Sequence, residues 1–150
     1  MIIFGVIYPL TITGIAKLTA ANGGEGRTVT AGGKLVGFEV IGQSFKSDKY
    51  FNSRPSAVAY NAAATGGSNK GPTNPDYLAQ VEERILNFLR KNPAVKREQV
   101  TVDLVTASGG GLDPHISQRA AKIQVARIAN VRGVTEESLN GLVERNTEGA

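Results

Sequence analysis

The sequence has no cysteine, no tryptophan, and a single histidine and methionine in 150 residues. Without cysteine there are no disulfides and no thiolate metal sites, and neither an oxidising nor a reducing compartment is favoured. With His115 as the only imidazole, a typical zinc site is excluded too. Asp and Asn are scattered without the spacing of a calcium loop. Aromatics make up only 6% of the chain, and the net charge of +4 is modest. Arg84, Arg90, Lys91, Lys96 and Arg97 are interrupted by Glu82, Glu83 and Glu98, without the run of aromatic platforms that single-strand binding needs. That stretch reads as a solvated helix face, and nucleic acid is not an expected partner.

Long apolar runs are also scarce. Residues 2–16, IIFGVIYPLTITGIA, are the one uncharged stretch of note, and Lys17 ends it. Fifteen helical residues rise about 22 Å, against about 30 Å for a bilayer core. Snorkelling of Lys17 would extend the usable length to Ala21. Pro9 is tolerated in membrane helices and disfavoured inside soluble ones. From the segment alone three readings stay open: a membrane helix, a signal peptide, and a buried strand or helix.

The remainder has an ordinary folded composition, 41% apolar and 20% charged, and fits one domain. Residues 21–33 read as a linker with a turn at Gly32-Gly33. Residues 34–41 are strand-like and end at Gly42. Residues 53–75 show little periodicity, and an ordered loop of that length is usually functional. Asn74 and Pro75 then open a helix, with Leu78, Val81, Ile85, Phe88 and Leu89 on one face and Asn92-Pro93 as the stop. Residues 100–105 read as a second strand, followed by the turn Ser108-Gly109-Gly110-Gly111. Ser117 caps a helix over 118–131 with Ala121, Val125 and Ile128 inward, and Gly133 ends it. Thr135 caps a last helix, with Glu136 and Glu137 at its positive end and Leu139, Leu142 and Val143 facing the core. No internal repeat is present. The order implies a small α+β domain.

Two stretches invite a catalytic reading. The stretch from Gly66 to Thr73 superficially matches a phosphate loop, but Lys70 precedes Gly71, and Pro72 removes an N–H where phosphate needs one. Ser108, His115 and Asp113 or Asp103 compose a hydrolytic triad on paper. The nucleophile elbow is absent, because position 106 is threonine. Asp113-Pro114 more simply forms a turn.

Four stretches, in order, carry a family resemblance: YPLTITGIAKL (8–18), the block from GKLVGFEVIGQSF to GGSNKGPTNP (33–75), VDLVTASGGGLDPHIS with QVARIANVRG (102–133), and LVERNTEG (142–149). Together they resemble the C subunit of the Kdp-type potassium-transporting P-type ATPase. The resemblance implies a single N-terminal transmembrane helix over 1–20, a linker over 21–33 and an extracytoplasmic α+β domain over 34–150. It places the chain in the inner membrane, single-pass, among lipid. The chain starts inside the family's helix and stops before a strand-like tail, so both ends are expected to be trimmed.

By the same resemblance the partners are a channel-like A subunit, an ATP-hydrolysing B subunit and a small F subunit. The role implied is a non-catalytic accessory subunit that stabilises assembly and raises the ATP affinity of the B subunit. ATP and potassium are expected only at the level of the complex, since no DKTGT phosphorylation motif occurs here. Ser108, Gly109, Gly110 and Gln124 match the family's nucleotide-related residues. Arg54, Pro55, Asn61, Gly66, Gly67, Ser68 and Asn69 are interaction-loop candidates. The alternatives are an extracytoplasmic serine hydrolase using Ser108 and His115, and a free periplasmic binding domain.

Overall fold

The computed structural model describes residues 1–148. They form two compact units, 1–41 and 42 onward. In the first, a π-helical turn at Ile3–Ile7 leads into helix α1, Tyr8–Thr19. Pro9 is the second residue of α1, directly after the π turn, and has no N–H to donate. Ala20 is extended, and Asn22 and Gly23 take left-handed conformations, which stops the helix. Strands β1, Thr28–Ala31, and β2, Lys34–Phe38, then pair antiparallel across Gly32-Gly33. Both glycines have positive φ, as a two-residue hairpin turn of matching twist demands. The pairing slips by one residue after Val29, leaving Val36 as a bulge.

Two expectations are corrected here. No helix among the described residues is long and apolar enough to cross a membrane. Helix α1 has twelve residues, which rise about 18 Å, and the apolar residues before it wind as a π turn. The expected N-terminal transmembrane helix is therefore not found. The single-pass inner-membrane placement with an extracytoplasmic domain, which rested on that helix, goes with it. The second correction concerns the expected α+β domain. The one sheet among the described residues is the β1–β2 hairpin, and part of it lies in the stretch read as a linker.

The second unit is built from helices and ordered loops. Helix α2 spans Pro75–Lys91, α3 Gln118–Lys122, α4 Val125–Arg132 and α5 Glu136–Arg145. Three caps foreseen from sequence are made. Asn74 Oδ1 accepts the Tyr77 N–H at 3.0 Å, Ser117 Oγ that of Ala120 at 3.1 Å, and Thr135 Oγ1 that of Ser138 at 3.2 Å. Gly133 ends α4 in the left-handed conformation, as expected. Replacing Asn74 by alanine is expected to cost about 1 kcal/mol, read as a lower urea midpoint with an unchanged slope.

Residues 100–105 form no strand. They wind through a 3-10 turn at Val102–Leu104 with no neighbouring strand to pair with. Leu104 and Val105 are both buried while Val102 is 72% exposed, a burial order that no strand produces. The Asp103 carboxylate accepts the Ser117 N–H at 2.7 Å, so this turn also anchors the start of α3. The single helix expected over 118–131 breaks between α3 and α4 at Ile123 and Gln124.

Within α3 the successive residues Ala120 and Ala121 face two cores. Ala120 packs with Phe88, Leu104 and Val105, and with Val81 and Ile85 of α2. Ala121 packs with Val125, Ile128, Ala129, Leu139 and Val143. Three residues of the expected stripes, the half-buried Leu89 among them, lie outside these cores. Leu78 is half exposed, and Leu142 lines an open cleft beside Phe51.

Candidate functional site

The loop over 53–75 is ordered by its own polar groups. Ser56 Oγ accepts the N–H groups of Val58 and Tyr60, at 3.2 and 2.9 Å. The Tyr60 hydroxyl donates back to the Arg54 carbonyl at 2.6 Å and lies 3.2 Å from Ser53 Oγ. Between them the chain makes a tight turn, with the Asn61 N–H on the Val58 carbonyl at 3.0 Å. Ala59 and Tyr60 both take positive φ, 53° and 58°. Side chains disfavour that region by about 1–2 kcal/mol per residue, so the surrounding bonds must hold the turn. Residues 61–65, just after it, are exposed.

The glycine turn after residue 107 is the second wall. The Gly66 N–H donates to the Gly110 carbonyl at 3.1 Å. A Cβ on Gly67 would stand 2.9 Å from the Gly109 carbonyl oxygen. A Cβ on Gly111, at φ +72°, would stand 2.7 Å from Val58 Cγ2 and 2.9 Å from the Gly66 oxygen. The glycines thus allow two backbones to touch. Gly109 and Gly110 are exposed, and Ser108 is buried.

Arg54 ties the two walls together. Its Nη1 donates to Asp113 Oδ2 at 3.1 Å and its Nη2 to the Ala107 carbonyl at 3.4 Å. Among the described residues its buried Nε has no hydrogen-bond partner. Asp113 Oδ1 accepts the His115 N–H at 2.9 Å and lies 3.1 Å from Nδ1 of that ring. Partial burial pushes the Asp113 carboxyl up, but the His115 and Arg54 hydrogen bonds outweigh it and hold the group below the usual range. Because the folded carboxyl is the stronger acid, its contribution is complete above the ordinary aspartate range near about 4. It is lost as pH falls through the lower folded value. Acid unfolding of Asp113→Asn is therefore expected to show a shallower loss of stability below about pH 4 than wild type, followed by circular dichroism.

No hydrolytic triad is assembled. Ser108 Oγ accepts the Asp113 N–H at 3.4 Å, and no hydrogen bond joins it to His115, whose side chain is exposed. Among the described residues no three His, Asp or Glu side chains group as a metal site.

Gln124 lies elsewhere. It is fully buried at the break between α3 and α4. Its Oε1 accepts the Asn52 N–H at 2.7 Å and Arg127 Nη2 at 2.9 Å. Its Nε2 donates to the carbonyls of Asn52 and Ala120, at 3.3 and 3.1 Å. Those four bonds use the whole capacity of a carboxamide. Arg127, itself buried, donates from Nε to Asn92 Oδ1 at 2.9 Å and from Nη2 to the Tyr50 carbonyl at 3.1 Å, while Nη1 holds the Asp48 carbonyl. Burial pushes the pKa of this guanidinium below its ordinary value, partly countered by the Asp48 charge.

The structure therefore brings Arg54, Gly66, Gly67, Ser108, Gly109 and Gly110 together and leaves Gln124 in a separate polar cluster. Pro55, Asn61, Ser68 and Asn69 sit on the same loop, Asn69 with positive φ. Sequence reasoning missed Ser56, Tyr60, Asn92 and Arg127. The one available signal was Arg127, placed three residues after Gln124 and next to the inward Ile128.

A family model described as the c chain of K+-transporting ATPase, KdpC, matches residues 1–150. The chain is similar to the potassium-transporting ATPase KdpC subunit of Flavobacterium johnsoniae, 55% identical over 144 residues, 96% of this chain and 78% of that protein. It is likewise similar to the subunit of that name from Caldanaerobacter subterraneus, 46% identical over 149 residues, 99% of this chain and 77% of that protein. The Bacillus cereus protein of that name is 40% identical over 151 residues, 100% of this chain and 78% of the relative.

Proposed function

The chain belongs to the KdpC family of K+-transporting ATPase c chains, and from that premise we propose that it is a non-catalytic accessory subunit which stabilises the assembly of a potassium pump. Its partners are the other subunits of that complex: the channel-like A subunit, the ATP-hydrolysing B subunit and the small F subunit. The observation that carries the reading is the loop over 53–75. It has no regular secondary structure, yet its turn at Ala59-Tyr60 is strained and held by Ser56, Tyr60 and Arg54. Strain of that kind is retained where a surface must keep one shape for a partner.

Any rise in the ATP affinity of the B subunit would then be transmitted through contact between subunits. Gln124 supports this route over direct nucleotide contact, because its carboxamide is buried and fully engaged by its own chain. Co-expression with the remaining subunits tests the proposal. The expected result is a stable complex whose potassium-stimulated ATPase activity is lost when this chain is omitted. Full activity without the chain would refute it.

A further inference from the structure

The segment over 48–52 lies against α4 and the end of α2, but it belongs to no sheet. Three successive carbonyls in it, those of Asp48, Lys49 and Tyr50, accept hydrogen bonds from arginine side chains: Arg127, Arg132 and Arg127 again. Asn52 exchanges two bonds with Gln124, its N–H donating and its carbonyl accepting. Arg132 also stacks over the Tyr50 ring, 5.1 Å from its centre, and Lys91 pairs with Asp48 at 3.1 Å. Four carbonyls of this strap and the Asn52 N–H are thus bonded to side chains, where a strand would use a neighbour. Two residues further along the chain is Arg54, which ties the partner loop to the glycine turn.

From this we infer that Gln124 and Arg127 are positioning residues. They fix the strap over 48–52 and, through it, the attitude of the loop that meets the rest of the pump. The inference rests on the accessory-subunit reading above. It gives Gln124 a role without a nucleotide ligand. Gln124 is suited to the task because only a neutral carboxamide both accepts from Asn52 and Arg127 and donates to Asn52 and Ala120. Asn92 completes the cluster by accepting Arg127 Nε while its own amide caps the Phe88 carbonyl at 2.8 Å.

The test uses the full chain and two variants. Gln124→Met keeps the volume and removes all four bonds. Gln124→Glu keeps both acceptors and loses the two donors. Three quantities are read: amide hydrogen exchange over 48–54, recovery of the assembled complex, and the ATP KM of the complex that forms. For Gln124→Met, exchange over 48–52 is expected to rise about tenfold, the effect of one or two lost buried hydrogen bonds. Exchange within α2 serves as the folding control and is expected to stay unchanged. Complex recovery falls severalfold, while the ATP KM of the recovered complex stays at the wild-type value. Gln124→Glu is expected to restore most of the protection at Asn52.

Unchanged exchange over 48–54 in Gln124→Met would overturn the inference and leave the accessory reading intact. Raised exchange with wild-type recovery would overturn the link from strap to assembly. A raised ATP KM with unchanged exchange would overturn it in favour of nucleotide contact. Failure of the wild-type chain itself to enter the complex would instead be a failure of the accessory reading.

Discussion

Replacing Gly111 by alanine is expected to destabilise the unit that begins at residue 42 by about 2–5 kcal/mol, the sum of a left-handed backbone penalty and an overpacking penalty. Gly111 sits at φ +72°, and its new methyl would meet Val58 Cγ2 at 2.7 Å and the Gly66 oxygen at 2.9 Å. Valine is stiff about its first torsion, and the Gly66 oxygen is backbone, so neither gives way cheaply. The neighbouring Gly110 is the control. Nothing lies within 4 Å of a Cβ built there, and Gly110→Ala is expected to change stability by about 0.5 kcal/mol at most. Urea unfolding of both variants separates the two sites. Equal midpoints would mean that the loop and the glycine turn do not touch as described. In the assembled pump, Gly111→Ala is expected to lower recovery of the complex, because the loop over 53–75 loses its wall.

Arg127→Met carries the second large effect. Removal of the guanidinium strands Asn92 Oδ1 and the carbonyls of Asp48 and Tyr50, and leaves Gln124 Oε1 with Asn52 alone. Asn92 Oδ1, the buried acceptor that loses its arginine donor, costs about 1–3 kcal/mol when left unpaired, and the other lost bonds add about 1 kcal/mol, since Asp48 and Tyr50 are exposed residues that water can reach. The expected loss is about 2–4 kcal/mol, with raised exchange over 48–52. Arg127→Lys is not conservative here. One ammonium cannot reproduce a planar fork that reaches Asn92, Asp48, Tyr50 and Gln124 together. The lysine variant is expected to regain less than half of the loss. A methionine variant within about 0.5 kcal/mol of wild type would show that the strap holds without the arginine.

Much of the helical framework was legible in the sequence. Asn74, Ser117 and Thr135 announce helix starts because their short oxygens cap orphan N–H groups, and each does so in the structure. Gly133 announces a stop because the left-handed conformation suits glycine. The failures have physical causes. Residues 100–105 are rich in valine and threonine, yet β-propensity expresses fit to a pleated surface and no neighbouring strand supplies one. Residues 2–16 are uncharged, but composition sets neither where a helix begins nor whether its first turn is wound as α or π. The break at Gln124 was invisible because Ala, Lys, Gln and Arg all favour helix. What overrides them is a buried carboxamide bonded to a residue 72 positions away in sequence.

The candidate site was legible as two unrelated stretches, one around Gly66-Gly67 and one around Ser108-Gly109-Gly110. Their contact depends on close backbone approach across a long separation, which a local pattern does not encode. Gln124 carried the opposite problem. The resemblance implied that it works with the glycine turn, whereas its bonds run to the strap at Asn52.

Co-purification in mild detergent tests the central claim most directly. The chain would carry an affinity tag and be expressed with the other subunits of its pump, against a preparation lacking only this chain. The expected result is that the other subunits are retained on the tag, that potassium stimulates ATP hydrolysis in the eluate, and that the preparation without the chain loses that activity. Recovery of the tagged chain alone, beside a fully active pump that lacks it, would contradict the account.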